Sequence, residues 1–331
     1  MKAFDAPFLQ LAEYETLKSL LKKGEGIVCA NGCTDPQKLH MIYGTGDDFD
    51  FKIIVTFSET KARQIYEDYR FYDSEVYLFP AKDLIFYQAD ISGNVITQQR
   101  MSCIRALFEG KKCTIVTTVD AFMAQMAPPS SIKQGIICIN KDEEYSEEDL
   151  AKRLVAAGYM RNHQIEGRGQ FCMRGGIVDV FPLTEDNPIR IELWGDTVES
   201  VRTFDMVSQR SITELSSVSL FPASEIILDA PALEAGLNRI EEEAKAARKK
   251  FRDDFRTEEG ANAYRIYSNL KEEIEISGQS GVNLDSFTGY FFDNTASFAD
   301  YINSGLAIYF LDEPARMKEA VEAVEAEFRR V

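Results

Sequence analysis

The chain has 331 residues, 45% of them hydrophobic and 27% charged, and its 37 Lys+Arg against 54 Asp+Glu leave a net charge of −17. That length suits two or three domains, and that charge argues against the segment gripping a phosphate backbone by itself, so a protein partner is expected. No apolar run approaches the roughly 20 residues that span a bilayer, and residues 1–14 lack the basic start and apolar centre of a signal peptide, which predicts a cytoplasmic protein. Six scattered cysteines and two histidines form no metal-ligand spacing, so buried free thiols, no metal and no cofactor are expected.

In chain order, residues 9–23 read as an amphipathic helix with Leu9, Leu11, Leu17, Leu20 and Leu21 near helical spacing. Gly26–Ala30 (GIVCA) reads as a short apolar strand, followed by a turn and by residues 37–42, which can start a helix. Strand, turn and helix is the setting of a phosphate-binding loop, whose pattern is G-x-x-x-x-G-K-[ST]. The stretch here is Gly32, Cys33, Thr34, Asp35, Pro36, Gln37, Lys38, Leu39. Lys38 keeps its register, but Asp35 and Gln37 replace glycines, Pro36 has no N–H to donate, and Leu39 replaces the metal-binding hydroxyl. Asp35 would also repel phosphate. The loop is either a decayed nucleotide site or an ordinary turn that never bound one.

Strands at 52–57, 75–79 and 114–118 alternate with helices at 61–69 and 98–108, the pattern of a parallel sheet covered by helices. Residues 81–94, with Phe86 and Tyr87, read as an irregular connection. Residues 128–131 (PPSS) suggest a hinge, 136–139 a strand, and Ser146–Asp149 the start of a helix running to Ala157, with acids where the dipole favours them.

Residues 168–211 are the best-defined stretch. Runs of β-branched and aromatic residues at 170–174, 177–181, 189–194 and 197–204 are separated by Gly175-Gly176, by 182–187 and by Gly195-Asp196, predicting an antiparallel meander. Ile189, Ile191 and Leu193 share one face, and Arg190, Glu192 and Trp194 the other. All six cations from Arg161 to Arg210 are arginine, which suits planar, shape-specific pairing with carboxylates, either inside the domain or across an interface. Farther on, 232–256 reads as a charged amphipathic helix whose Lys/Arg content is taken as a solvated face rather than a nucleic-acid stripe. Residues 305–313 read as a strand ending in Asp312-Glu313, followed by a helix at 314–330.

Four blocks carry a resemblance: Phe171 with Arg174–Pro182, then Arg190–Asp196, then Arg202–Asp205, then Gln209–Ser211. They are similar to the second domain of the family formed by the excision-repair protein UvrB and the transcription-repair coupling factors. The resemblance implies an α/β fold: a degenerate RecA/helicase-like parallel-sheet domain, discontinuous in sequence, with an inserted α+β domain built on an antiparallel sheet. The expected boundaries are 1–127 and 213–331 for the first and 128–212 for the second. It implies a non-catalytic adaptor that recruits UvrA through Arg161, Arg174 and Glu192, with Phe171 packing beside them; Cys172 stands where UvrB has a further arginine. It also implies that Asp312 and Glu313 are a remnant Walker B, and that residues 81–94 are too short for UvrB's DNA-clamping hairpin. RNA polymerase and DNA would be bound by C-terminal domains outside this chain, and the UvrA face could be masked within a longer protein. The alternative is a UvrB-like ATPase that verifies DNA damage.

Overall fold

The computed structural model describes residues 7–11, 13–24, 26–82, 91–277, 282 and 284–328. Its elements, in chain order, begin with α1 (Tyr14–Lys23), α2 (Asp35–Thr45), β1 (Phe51–Thr56), α3 (Glu59–Tyr69), β2 (Val76–Phe79), α4 (Ile91–Phe108), β3 (Cys113–Thr118), α5 (Val119–Met123) and α6 (Pro129–Gln134). Then come β4 (Ile137–Asn140), α7 (Glu147–Ala156), β5 (Met160–Arg161), β6 (Gln170–Arg174), β7 (Ile177–Phe181), β8 (Ile189–Trp194), β9 (Thr197–Phe204), β10 (Ser211–Leu215) and β11 (Ser217–Leu220). The chain continues through α8 (Ala230–Asp253), α9 (Thr257–Ser277), α10 (Thr288–Phe291), β12 (Ala307–Leu311) and α11 (Pro314–Phe328). They group into two compact units, residues 1–81, 106–124 and 301–331 in one, and 82–105 and 125–300 in the other.

The first unit is built on a parallel sheet in the order β12-β1-β3-β2. Both β1 (FKIIVT) and β3 (CTIVTT) are buried along their whole length, as central parallel strands are when helices cover the sheet. Leu39 and Ile42 of α2 and Ala62, Ile65 and Tyr69 of α3 pack on Ile54, Leu78 and Val116 of the strands. Ser58 caps α3 by accepting the N–H of Lys61.

The second unit carries the antiparallel sheet, in the order β10-β9-β8-β7-β6-β5, with only the short β5 running parallel to its neighbour. Alternation decides its faces. Phe171, Val178, Val180, Ile189, Ile191, Leu193, Val198 and Val201 point into a core completed by Leu150 and Leu154 of α7, and by Ile137 and Ile139 of β4, which pairs with β11. Gly175 and Gly176, at φ 55° and 83°, turn β6 into β7 with both residues left-handed, as a two-residue hairpin loop requires. Helices α8 and α9 form a second core with α10 around Ile240, Ala244, Tyr267, Leu270 and Phe291.

Several expectations need correction. Gly26–Ala30 is not a strand: among the described residues it pairs with no other strand, and Ile27 is 88% exposed, so its apolar run has no ladder to join. The first helix begins at Tyr14, after a single 3-10 turn at Phe8–Gln10. Residues 128–131, read as a hinge, run into α6, where Pro129 occupies the first helical position. Residues 91–94 of the expected irregular connection are the first turn of α4, while 83–90, including Phe86 and Tyr87, lie outside the described residues. The thiols divide: Cys103, Cys113 and Cys172 are buried, Cys29 and Cys138 exposed, and Cys33 half-buried. No helix among the described residues is long and apolar enough to cross a membrane.

Candidate functional site

The solvent face of the antiparallel sheet is organised in two rows that cross the strands. One runs Arg174, Ile177, Glu192, Ser200, and the next runs Cys172, Asp179, Arg190, Arg202, Glu214. Asp179 is buried, and the guanidinium of Arg190 donates to both its oxygens, Nε to Oδ1 at 2.6 Å and Nη2 to Oδ2 at 2.8 Å. Arg190 also lies over the ring of Phe204 at 4.3 Å and donates to Gln209. These hydrogen bonds to Asp179 hold its proton more tightly than an ordinary arginine's. Arg202 donates through Nη1 and Nη2 to the two oxygens of Glu192, and Ser200 donates to Oε2 at 2.7 Å. The Arg202 hydrogen bond keeps the Glu192 carboxyl below the ordinary carboxylate range, despite the opposing effect of partial burial.

Each residue singled out in the sequence can be placed against this network. Arg174 ends β6 with its side chain 57% exposed and meets the network through a long 3.5 Å contact of Nη2 with Asp179 and through the Cys172 thiol. Glu192 stands in the same row two strands away, half-exposed and internally paired. Arg161, in β5, is exposed and has no ion-pair partner among the described residues. Its strand position pairs with that of Phe171, so it belongs to the face opposite Arg174. Phe171 is wholly buried in the core, so it supports β6 from behind and offers no surface to a partner. Cys172 is buried beside Ile165 and Phe181, and burial pushes its thiol pKa up. The geometry adds Arg210 and Trp194, both exposed. The indole stands on the polar side of the sequence pattern, and Arg210 closes the arginine set that begins at Arg161.

The loop that leads into α2 in the first unit is held by its own side chains. The backbone N–H of Thr34 donates to the side chain of Gln37 at 2.9 Å, closing a capping box at the start of α2. Asp35 thus places a carboxylate at the helix N-terminus, where a phosphate would be held, and receives the Lys61 ammonium at 2.6 Å. That bond lowers its pKa. Lys38 donates to Asp312 at 2.9 Å and to Glu313 at 2.6 Å; partial burial works against its charge, but these two carboxylates hold its pKa above the usual lysine value. Asp312 also accepts from Thr56 at 3.0 Å, and Glu313 sits at φ 55°. Gly32 is left-handed at φ 79°, and Leu39 is buried in the core. The side chains of Asp35, Gln37 and Lys38 are thus all engaged within the first unit.

Residues 137–226 match the model of the UvrB interaction domain. Over 261 residues the chain is 31% identical to a transcription-repair-coupling factor of Bacillus subtilis, covering 77% of this chain and 22% of that protein. A transcription-repair-coupling factor of Haemophilus influenzae is 27% identical over 228 residues, 69% of this chain and 18% of its own length. The UvrABC system protein B of Carboxydothermus hydrogenoformans is 30% identical over 226 residues, 68% of this chain and 33% of its own. The chain thus spans about a fifth to a third of these relatives.

Proposed function

From the match of this chain to the N-terminal, UvrB-like region of transcription-repair coupling factors, with a UvrB interaction domain at 137–226, we propose that it is a non-catalytic cytoplasmic adaptor that recruits UvrA for excision repair at stalled transcription. The supporting observation is the sheet face itself: an internally paired ionic lattice with Arg174 at its edge, its side chain 57% exposed and its contact with Asp179 long. A partner carboxylate at that point would gain a planar, two-bonded contact without breaking a strong internal one. Glu192 contributes by holding Arg202 in place and by offering its remaining exposed edge to a partner cation. Arg161, on the other side of β6, adds a second and weaker contact. RNA polymerase and DNA are assigned to parts of a longer protein, which would also supply any cover for this face.

Charged pairs desolvated at an interface cost about 2–5 kcal/mol to break from one side, enough to weaken binding tenfold or more. Arg174→Ala is therefore expected to reduce UvrA binding at least about tenfold, and Arg161→Ala less, with the melting temperature within a few degrees of wild type. Pull-down and calorimetry with purified UvrA check this. Normal binding by a folded Arg174→Ala protein would sink the assignment.

A further inference from the structure

Trp194, the last residue of β8, is 81% exposed. With Ile189, Ile191 and Leu193 buried along the strand, alternation puts the indole on the solvent face with Arg190 and Glu192, about 7 Å along β8 from Glu192. Among the described residues no ring stacks on it, no cation lies over it, and its N–H meets no acceptor. The ring therefore does nothing for the core of its own domain.

The backbone around it is nevertheless held from both sides. The N–H of Tyr145 donates to the Asp196 carbonyl at 2.6 Å, that of Val198 to the Glu143 carbonyl at 2.9 Å, and that of Asp142 to the Val198 carbonyl at 2.9 Å, so residues 142–145 clamp the β8–β9 turn. On the other side the N–H of Leu193 donates to the Gly176 carbonyl at 2.7 Å. A Cβ on Gly176 would meet the Leu193 carbonyl oxygen at 2.7 Å, so glycine is what lets the β6–β7 turn lie this close; a Cβ on Gly175 would meet nothing within 4 Å. Two residues without side chains thus separate Arg174, which precedes them, from Trp194, which follows Leu193. The result is a shallow notch with glycine backbone as its floor, Arg174 and Trp194 as its walls, and Ile177 and Glu192 along its inner side.

We infer that this notch seats one segment of UvrA, an acidic residue on Arg174 with an apolar side chain beside it on the Trp194 indole. The inference rests on the reading of this sheet face as the UvrA-binding surface. The charge pattern selects an acid: Glu192 is already held by Arg202 and Ser200, whereas Arg174 reaches Asp179 only at 3.5 Å. The indole selects an apolar neighbour, since an exposed tryptophan offers a broad flat surface and one N–H donor, and tryptophan and arginine together are the usual anchors of protein interfaces. The clamped turn holds the ring in place before binding, which lowers the ordering cost. Asp196 in the same turn disfavours a phosphate, so stacking on a nucleic-acid base is not the use of this ring.

Calorimetry of the whole chain with purified UvrA tests this. Trp194→Ala is expected to weaken binding about tenfold or more, beyond the loss from Arg161→Ala, while Trp194→Phe, which keeps a ring, stays within about threefold of wild type. Both variants should melt with wild type. Arg174→Ala combined with Trp194→Ala should lose less than the product of the single losses, because both side chains meet one segment of the partner. Weakening by Arg174→Ala with none by Trp194→Ala overturns the notch and leaves the adaptor reading standing; a wild-type chain that does not bind UvrA overturns both. Single losses that multiply, or a Trp194→Ala protein that melts well below wild type, also overturn the inference. So does sedimentation in which Trp194→Ala converts a dimer to a monomer with UvrA affinity unchanged, since the ring would then belong to contact with a second copy.

Discussion

Arg174 and Arg190 look alike in the sequence, one cation near the end of each of two strands, and the structure sets them to different work. Asp179 is buried, so removing Arg190 leaves a carboxylate stranded in the sheet, at a cost of about 3–5 kcal/mol. Arg190→Ala should therefore lower the melting temperature well beyond the shift caused by Arg174→Ala, and any loss of UvrA binding should follow the unfolded fraction. Thermal unfolding by circular dichroism checks this, and equal melting temperatures would show that Asp179 does not depend on Arg190. Period-two alternation made the polar face legible, but it could not rank the arginines on it. Ranking needs the cross-strand register, which puts Asp179 between Cys172 and Arg190 and Glu192 beside Ser200. Phe171 was different: alternation along 170–174 already puts it on the face opposite Arg174, and its expected place beside the arginines came from the resemblance and not from the pattern.

Among the elements, strands buried on both faces and glycine turns announced themselves, whereas Gly26–Ala30 imitated a strand because an apolar run states a preference and not a partner. Helix α9 was not read from the sequence at all; its apolar positions make sense only against α8. The internally paired loop at the start of α2 leads to a direct expectation. Lys38 must leave two carboxylates, and Asp35 must leave the helix N-terminus, before a triphosphate can enter. Calorimetric titration with Mg-ATP should give no binding, and micromolar affinity would overturn the non-catalytic reading. A second element-level device sits where α4 meets the segment after β11. Arg100 donates twice to Glu225, at 2.8 and 2.9 Å, and Lys82 bridges Glu225 and Asp285 at 2.8 Å each, with Arg100 and Glu225 buried. Burial alone would raise the Glu225 pKa, but the two cations overcome it and bring it down to about 2. A carboxyl depressed on folding contributes stability that is complete above its unfolded value of 4.5 and is lost as pH falls toward about 2. Urea midpoints should accordingly fall across that window in wild type, and the fall should be smaller in Glu225→Gln, which is already destabilised at neutral pH because it strands Arg100 and Lys82. Parallel pH profiles for the two proteins would refute this.

On the scale of the whole molecule, the net charge of −17 conceals a division of labour that composition cannot express. Arginine-only charge lies on the antiparallel sheet, while lysine and arginine are mixed at one end of the helical hairpin, where Lys245, Arg252, Arg256 and Lys271 pair with nearby acids. The sum predicts a protein partner and says nothing of where its charges sit, because charges that share a total need not share a place. The open sheet of the first unit has a further consequence. Strand β12 pairs with β1 on one side only among the described residues, and Leu311 and Tyr309 stand exposed along it. An unpaired edge of this kind is a template on which another strand can grow, so at high concentration the chain should self-associate edge to edge. Light scattering should rise with protein concentration and fall when Leu311→Lys places a charge on that edge; scattering that the substitution leaves unchanged would show that the edge is already guarded.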